Sequence, residues 1–216
     1  MGRPASLSRD RIEVAAAQIV EAEGVDALSA RRLGSELGCD PSALYRHFAD
    51  MDDLRRCVGD RMLAAVRTTV RTGEPWDRTA RRICIDLRRT LLAHRRLADL
   101  VQGAPTRLPN EMRISEALLA ALLRSGLNPA QAAGAYHALV ELTIGSAAID
   151  ADVAAQGTRA AAGTYRTWRN DYRRLDPEQF PALTAAAEHL YRGSAADRFE
   201  HALDALLLSL SRGTLG

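Results

Sequence analysis

Lysine is absent from this 216-residue chain: all 29 basic residues are arginine, set against 27 acids for a formal charge of +2. Bulk basicity therefore carries no argument for a polyanionic partner, and only the placement of individual guanidinium groups can. Aromatic residues are scarce at 5%, and alanine and leucine dominate the periodic stretches. Few runs are β-branched, which disfavours sheets and points to an all-α fold. No apolar run approaches the ~20 residues of a membrane span, and the N-terminus lacks the apolar core of a signal peptide. A cytoplasmic protein with no membrane partner is expected. The three cysteines, Cys39, Cys57 and Cys84, have no metal-ligand spacing. They fit a reducing compartment and are expected as small buried hydrophobes rather than redox centres. No cofactor and no metal site is expected.

The most informative stretch is Ala27–Phe48, two short helical patterns joined by a glycine turn. Ser29 can cap the first, Arg31 and Arg32 fall in its first turn, and Leu33 and Leu37 share a face. Gly38 supplies the left-handed residue that ends it. Asp40 is suited to cap the second pattern, with Pro41 at its first position. Leu44 and Phe48 point inward, which leaves Ser42, Ala43, Tyr45, Arg46 and His47 outside. Small, basic and aromatic side chains displayed on the second helix of such a pair match a helix-turn-helix that reads the DNA major groove. Up to Phe48 the chain holds Arg3, Arg9, Arg11, Arg31, Arg32 and Arg46 against Asp10, Glu13, Glu21, Glu23, Asp26, Glu36 and Asp40. This segment is about neutral, so local arrangement has to carry DNA binding.

Around this pair, the sequence predicts a first helix from Ser8 or Asp10 to Gly24, with Ile12, Ala16, Ile19 and Val20 on one face. Arg3 lies in a short arm expected either to reach phosphates or to stay disordered. A further helix starts at Asp50–Asp53 and runs to about Thr69, with Leu54, Val58, Met62, Leu63 and Val66 on its apolar side. After the break at Thr72-Gly-Glu-Pro75, helices are expected at Trp76–Ala93, Arg95–Val101 and Glu111–Arg124. Asn128 and Pro129 start a long helix to about Ala155. Gly157–Tyr172 is expected as a mobile connection, followed by a helix from the Pro177–Pro181 region to Tyr191 and a last one at Ala195–Ser211. The implied organisation is a helix-turn-helix domain over 1–50, a connecting helix over 51–70, and a ligand-binding and dimerisation domain over 71–216. Ala130–Ile149 and the last helix are apolar over most of their circumference, which suggests packing against a second copy as well as internally. Leu142, Ile149, Leu203, Leu206, Leu207 and Leu210 are the expected homodimer contacts.

Two other classes compete: an enzyme, or a helical protein adaptor, using a cavity in the C-terminal half. His137 and Glu141 stand four apart, and His94, His189 and His201 are also available, but no second metal-spaced pair, nucleophile motif or phosphate loop accompanies them. No catalytic residue is therefore assigned. An adaptor gives no reason to display Tyr-Arg-His on a capped hairpin.

Leu28-Ser-Ala-Arg-Arg-Leu-Gly-Ser-Glu-Leu-Gly with Leu44-Tyr-Arg-His-Phe48 resembles the helix-turn-helix of the TetR family of transcriptional regulators. Leu91-Leu-Ala-His-Arg95, Gly103, Ser125-Gly-Leu127 and Leu142-Thr-Ile-Gly145 are similar, more loosely, to the ligand-binding half of its tetracycline repressor branch. The resemblance implies an obligate homodimer on double-stranded operator DNA, a C-terminal pocket for a small-molecule effector, and release of DNA on ligand binding. Carried over by position, Arg31, Ser42, Ala43, Tyr45, Arg46 and His47 are the DNA-facing set, with Arg32 beside them. Arg46 suits guanine, Ala43 a thymine methyl, and Tyr45 and Arg31 phosphates. Met51 stands where the family commonly has lysine. Val101, Ile149 and Ala117 match positions where the tetracycline repressor places a magnesium-binding histidine, an assisting glutamate from the partner subunit and a drug-contacting glutamine. Valine, isoleucine and alanine cannot ligate a hard cation. An apolar effector is expected instead, in a pocket formed by Leu100, Val101, Met112, Tyr136, Leu139, Val140 and Thr143, with Tyr136, Thr143 and Arg67 as polar handles.

Overall fold

Side-chain caps set the first third of the chain. The computed structural model describes residues 7–212, apart from the side chain of Ala154; the expected Arg3 arm lies outside the described residues. Helix α1 (Arg9–Glu23) starts where the Ser8 side chain accepts from the Arg11 N–H, buries Ile12, Ala16, Ile19 and Val20, and ends at Gly24 with φ 94°. A single 3₁₀ turn, Val25–Ala27, leads to α2 (Ala30–Leu37), which Ser29 caps by accepting from the Arg32 N–H. Gly38 terminates α2 in the left-handed conformation, φ 66°.

The second helix of the pair is a 3₁₀ helix over Pro41–Arg46, shorter and tighter than the Asp40–Phe48 span expected from sequence. Its start is pinned by Asp40, whose Oδ1 accepts from both the N–H (2.8 Å) and the hydroxyl (2.6 Å) of Ser42. Its end closes on the Leu44 carbonyl, which accepts from the His47 and Phe48 N–H groups. The turn lies tightly on α2: a Cβ at Gly34 would sit 3.0 Å from the Cys39 carbonyl and 3.2 Å from Pro41 Cγ. Helix α3 (Met51–Leu63) follows, capped by Asp50. It stops at Leu63 instead of reaching Thr69: the chain tightens into turns in which the Ala64, Ala65 and Val66 N–H groups donate to the Arg61, Met62 and Leu63 carbonyls, and Arg113 adds hydrogen bonds to the Leu63 and Val66 carbonyls.

The remainder comprises α4 (Trp76–Ala93), α5 (Arg95–Gln102), α6 (Pro109–Arg124), α7 (Pro129–Ala155), α8 (Thr158–Arg173), α9 (Pro181–Ala186) and α10 (Ala195–Ser211). No strand occurs among the described residues. Helix α4 is the axis of this half, packed against α6, α7 and α10, while α5 reaches back to α1 and α3. No helix among the described residues is long and apolar enough to cross a membrane.

Three expectations need correction. The Gly157–Tyr172 stretch is not an irregular connection but the body of α8. Tyr165, Trp168 and Tyr172, spaced three and four apart, place an aromatic stripe against Tyr191, with ring centroids 5.0–6.1 Å away. The α9 helix ends at Ala186, well before Tyr191, whose φ of 51° is incompatible with continuing it. Leu203, Leu207 and Leu210 are buried within their own chain, where α10 packs on α4 and α7, so they are unavailable to a partner. On the outside stand Ile149, 80% exposed, and Leu208, 50% exposed, with Leu142 and Leu206 half-buried.

Candidate DNA-reading face and ligand cavity

Leu44 and Phe48 are buried, and they hold the 3₁₀ helix so that Ser42, Tyr45 and Arg46 are exposed and Ala43 and His47 half-buried. Its far end is fastened by Arg9 of α1, which donates to the His47 carbonyl (3.2 Å) and to Cys57 Sγ (2.8 Å) while lying 4.6 Å over the Phe48 ring. Hydrogen bonds from Ser42, together with the nearby Arg46 charge, hold the Asp40 carboxyl below the usual carboxylate range. The cap is therefore ionised at neutral pH.

The arginines near this face divide into two kinds. Arg31 is exposed, and neither it nor Arg46 makes an ion pair among the described residues. Arg32, grouped with them from sequence, is held by Glu23 of α1 (2.7 Å) and Glu36 of α2 (2.8 Å). Its charge is neutralised inside the domain, and it braces α1 against α2. Met51 is half-buried and packs against the core. The neighbouring helix start is capped by Asp50, while Asp53 accepts from the Ala49 N–H.

The second feature is a cavity of about 280 Å³ between α3, α4, α5, α6 and α7. Of the seven residues expected to form it, Val101, Tyr136 and Val140 line it. Leu139 and Thr143 lie one helical step away and are fully buried; the Thr143 hydroxyl donates to the Leu139 carbonyl. Leu100 packs beside Gly59, and Met112 is exposed. Arg67 is no handle here, since it donates to both oxygens of Asp86 at 2.9 and 3.3 Å. The lining α7 stripe is Tyr136, Val140 and Ile144, with His137 at its edge. Glu111, Ser115 and Gln102 add polar groups that sequence reasoning missed. Ser115 lies 2.7 Å from both Glu111 and the Tyr136 hydroxyl, forming one chain of hydrogen bonds along the wall. The spacing of Glu111 and Ser115 on α6 was the available signal. The His137–Glu141 pair has no further companions: no group of three potential metal-ligating side chains occurs among the described residues.

The wall of the cavity is also the seat of α3. A Cβ at Gly59 would come within 2.8 Å of Val101 Cγ1, so α3 and α5 touch where Val101 turns towards the cavity. The next residue, Asp60, is 5% exposed. It accepts from the Thr106 hydroxyl (3.0 Å), the Asn110 N–H (3.1 Å) and side-chain amide (2.9 Å), and the Glu111 N–H (2.9 Å). Thr106 and Glu111 are cavity residues. Asp60 thus caps α6 from outside it and ties the cavity mouth to the helix that follows the reading face. On the other flank, Arg96 donates to the Glu21 and Ala22 carbonyls, and His94 Nδ1 lies 2.6 Å from Glu21.

Comparison with known proteins agrees with both halves. The family model described as "Bacterial regulatory proteins, tetR family" matches residues 12–57, and that described as "Tetracyclin repressor-like, C-terminal domain" matches residues 71–211. An HTH-type transcriptional regulator of Saccharopolyspora erythraea is 31% identical over 88% of this chain and 85% of its own length. The class C tetracycline repressor protein of Escherichia coli is 26% identical over 95% of this chain and 91% of its own. Among solved structures, apo ActR of Streptomyces coelicolor superposes with a TM-score of 0.85 at 30% identity, covering 99% of this chain and 98% of ActR. ActR has also been solved in complex with actinorhodin. With a helix-turn-helix at one end and a tetracycline-repressor-like domain at the other, the chain belongs to the TetR family of DNA-binding transcriptional regulators.

Proposed function

We propose that this protein is a ligand-responsive repressor: a homodimer that binds palindromic operator DNA and leaves it when a small, mostly apolar effector fills the 280 Å³ cavity. The observation that carries this reading is that cavity and reading head share one helix. Val101 against Gly59, and Thr106 and Glu111 against Asp60, transmit any change of the cavity wall to α3, whose first turn adjoins Phe48. Residues 1–50 act as the reading domain, 51–70 as the connector and 71–216 as the ligand-binding and dimerisation domain. Arg46 and Ser42 face base edges, with the Ala43 methyl beside them, while Arg31 and Tyr45 contact phosphate and His47 lies alongside. The exposed sides of α7 and α10, around Ile149 and Leu208, form the seam with the second copy.

Coupling requires the effector to bind more tightly to the dimer whose heads are spaced wrongly for the operator, by the free energy it removes from DNA binding. Complexes of ActR with actinorhodin and with (S)-DNPA support effector binding in this branch. Val101, Ile149 and Ala117 argue against magnesium-tetracycline. The Glu111–Ser115–Tyr136 chain supplies hydrogen bonds for one polar group on an otherwise apolar molecule.

The test is release of a labelled operator fragment, selected from random duplexes by the protein itself, across a set of apolar compounds. Magnesium-tetracycline serves as the control. Release by at least one apolar compound, weakened in Tyr136→Phe without loss of operator affinity in the free protein, is expected. Release by the control and by none of the apolar set overturns the effector assignment.

A further inference from the structure

A second cavity, about 340 Å³, lies between α4, α7, α8 and the start of α10, and shares no residue with the first. Its walls are mostly apolar, with Leu92, Val153, Ala161 and Tyr165 among them. Its size falls in the range of small-molecule sites. At one side is Arg88 of α4, a charged side chain only 7% exposed. Arg88 Nε donates to the Ser146 hydroxyl (2.9 Å) and Nη2 to Asp150 (2.6 Å). Nη1 has no hydrogen-bond partner among the described residues. Nor is it one of the fully enclosed unpartnered atoms, of which Arg55 Nε is the only example there. Nη1 is thus the one guanidinium nitrogen of Arg88 without a hydrogen bond among the described residues, in a group that lines this cavity and lies 5.0 Å over the Phe199 ring.

Other groups around the cavity point to the same ligand chemistry. Asp150 already receives two guanidinium groups, from Arg88 and, at 3.8 Å, from Arg198, as well as the Tyr165 hydroxyl at 3.4 Å. It has no need of a further cation. Asp197, whose carboxylate lies beside the wall residue Gly193, is committed to the start of α10, where it accepts from the Ser194 N–H at 2.8 Å. Helix α8 begins at Gly157 and Thr158, both in the cavity wall, and no side chain caps its first N–H groups. Arg88, the charged residue of the wall, and the uncapped start of α8 thus border one mostly apolar space. A buried guanidinium with an unfilled N–H is costly unless something accepts from it.

We propose that this cavity is a second ligand site, which takes a small aromatic monoanion. The carboxylate or phenolate oxygen accepts from Arg88 Nη1, and the ring lies between Tyr165, Leu92 and Val153. The site is independent of the effector cavity assigned above, and its test does not depend on that assignment.

Calorimetry of the full-length protein with naphthoate, and with naphthylmethanol as its neutral counterpart, decides the matter. Naphthoate is expected to bind saturably, one per chain, and about tenfold more tightly than the alcohol, equivalent to one well-placed charged hydrogen bond. Ala161→Leu, which fills the cavity, should abolish binding, while Val140→Phe, in the first cavity, should leave it intact. Removing Arg88 alone takes the nearest cation from a buried carboxylate, so the paired change Arg88→Met with Asp150→Leu is the folded control. It should bind acid and alcohol equally. Absence of saturable naphthoate binding, equal affinity of the wild type for acid and alcohol, or loss in Val140→Phe with retention in Ala161→Leu would each overturn the proposal.

Discussion

The 3₁₀ helix Pro41–Arg46 takes its shape from bonds that span a few residues, such as Ser42 to Asp40 and His47 to Leu44, with Arg9 of α1 as its one long-range hydrogen-bond fastening described above. The 280 Å³ cavity is bounded by residues that meet only after folding: Leu63, Leu87, Val101, Ile114 and Tyr136 come from five helices. Local capping chemistry defines the first region, and the choice of which stripe of each helix faces inward defines the second. The arginines follow the same division. On the reading face, Arg31 and Arg46 make no ion pair among the described residues, whereas Arg32 is held by carboxylates of α1 and α2. The lesson is that charge partnering, not charge count, marks the surface offered to a polyanion.

The largest expected effect sharpens the long-range half of this contrast. Leu207 and Leu208 are adjacent, yet the first is 6% and the second 50% exposed. Leu207→Arg places an unpaired charge among α4, α7 and α10, costs several kcal/mol, and should leave little folded protein by circular dichroism. Leu208→Arg should keep the helical spectrum and thermal transition of the chain but yield monomers by light scattering, with operator binding lost. A dimeric Leu208→Arg protein with normal operator affinity removes this part of α10 from the seam.

Asp60→Ala comes next. It strips acceptors from the Thr106 hydroxyl, the Asn110 amide and two N–H groups at the start of α6, at a cost of about 3 kcal/mol or more. The denaturant midpoint should fall accordingly. In the milder Asp60→Asn, ligand-induced release should weaken more than operator binding does, if this contact links cavity to head. Equal weakening of both would make Asp60 a structural cap only.

The same contrast explains how much was legible in the sequence. Ser8, Ser29, Asp40 and Asp50 announce the first helix starts, because a cap acts on N–H groups two or three residues away. Asn128, Pro129 and the span Ala195–Ser211 were readable for similar reasons. The cavity wall was not. In α7, Tyr136, Val140 and Ile144 differ from Leu139 and Thr143 by one helical step, and an apolar-all-round helix carries no signal to choose between them. Helix α8 was hidden because its stripe is aromatic rather than aliphatic, with only Tyr165 buried, and because a glycine stands at its N-cap. Asp60 gave no local sign of its role, since its partners lie 46 to 51 residues away.

At the reading face the effects are smaller and differ in kind. Arg46→Ala should cost about 1–3 kcal/mol on the operator and relax preference at one base pair. Equal loss on random duplex would make it a phosphate contact. Arg31→Ala should lower the salt slope by about one counterion. Arg32→Ala should leave that slope unchanged and instead lower the melting temperature slightly, because its partners are Glu23 and Glu36. A reduced salt slope in Arg32→Ala would return it to the DNA-facing set.

The smallest effect tests whether local bonding also operates in the C-terminal half. Glu74, in the turn before α4, accepts from Arg82 at 3.0 and 3.2 Å, from the Thr79 hydroxyl at 3.2 Å and from the Arg71 N–H at 3.4 Å. These hydrogen bonds, Arg82 foremost, lower its carboxyl from 4.5 to about 2. Because the folded value lies below the unfolded one, the ionised carboxylate stabilises the fold at pH values above 4.5, and that contribution is lost as pH falls towards 2. Arg82 also donates to the Arg67 and Thr69 carbonyls, so the loss should loosen the segment between α3 and α4. Glu74→Gln should therefore be less stable than the wild type at neutral pH, and the gap in melting temperature should narrow on acidification through this window. A gap that stays constant with pH would mean that Glu74 acts through shape alone, and that the turn, like the cavity wall, is held by packing.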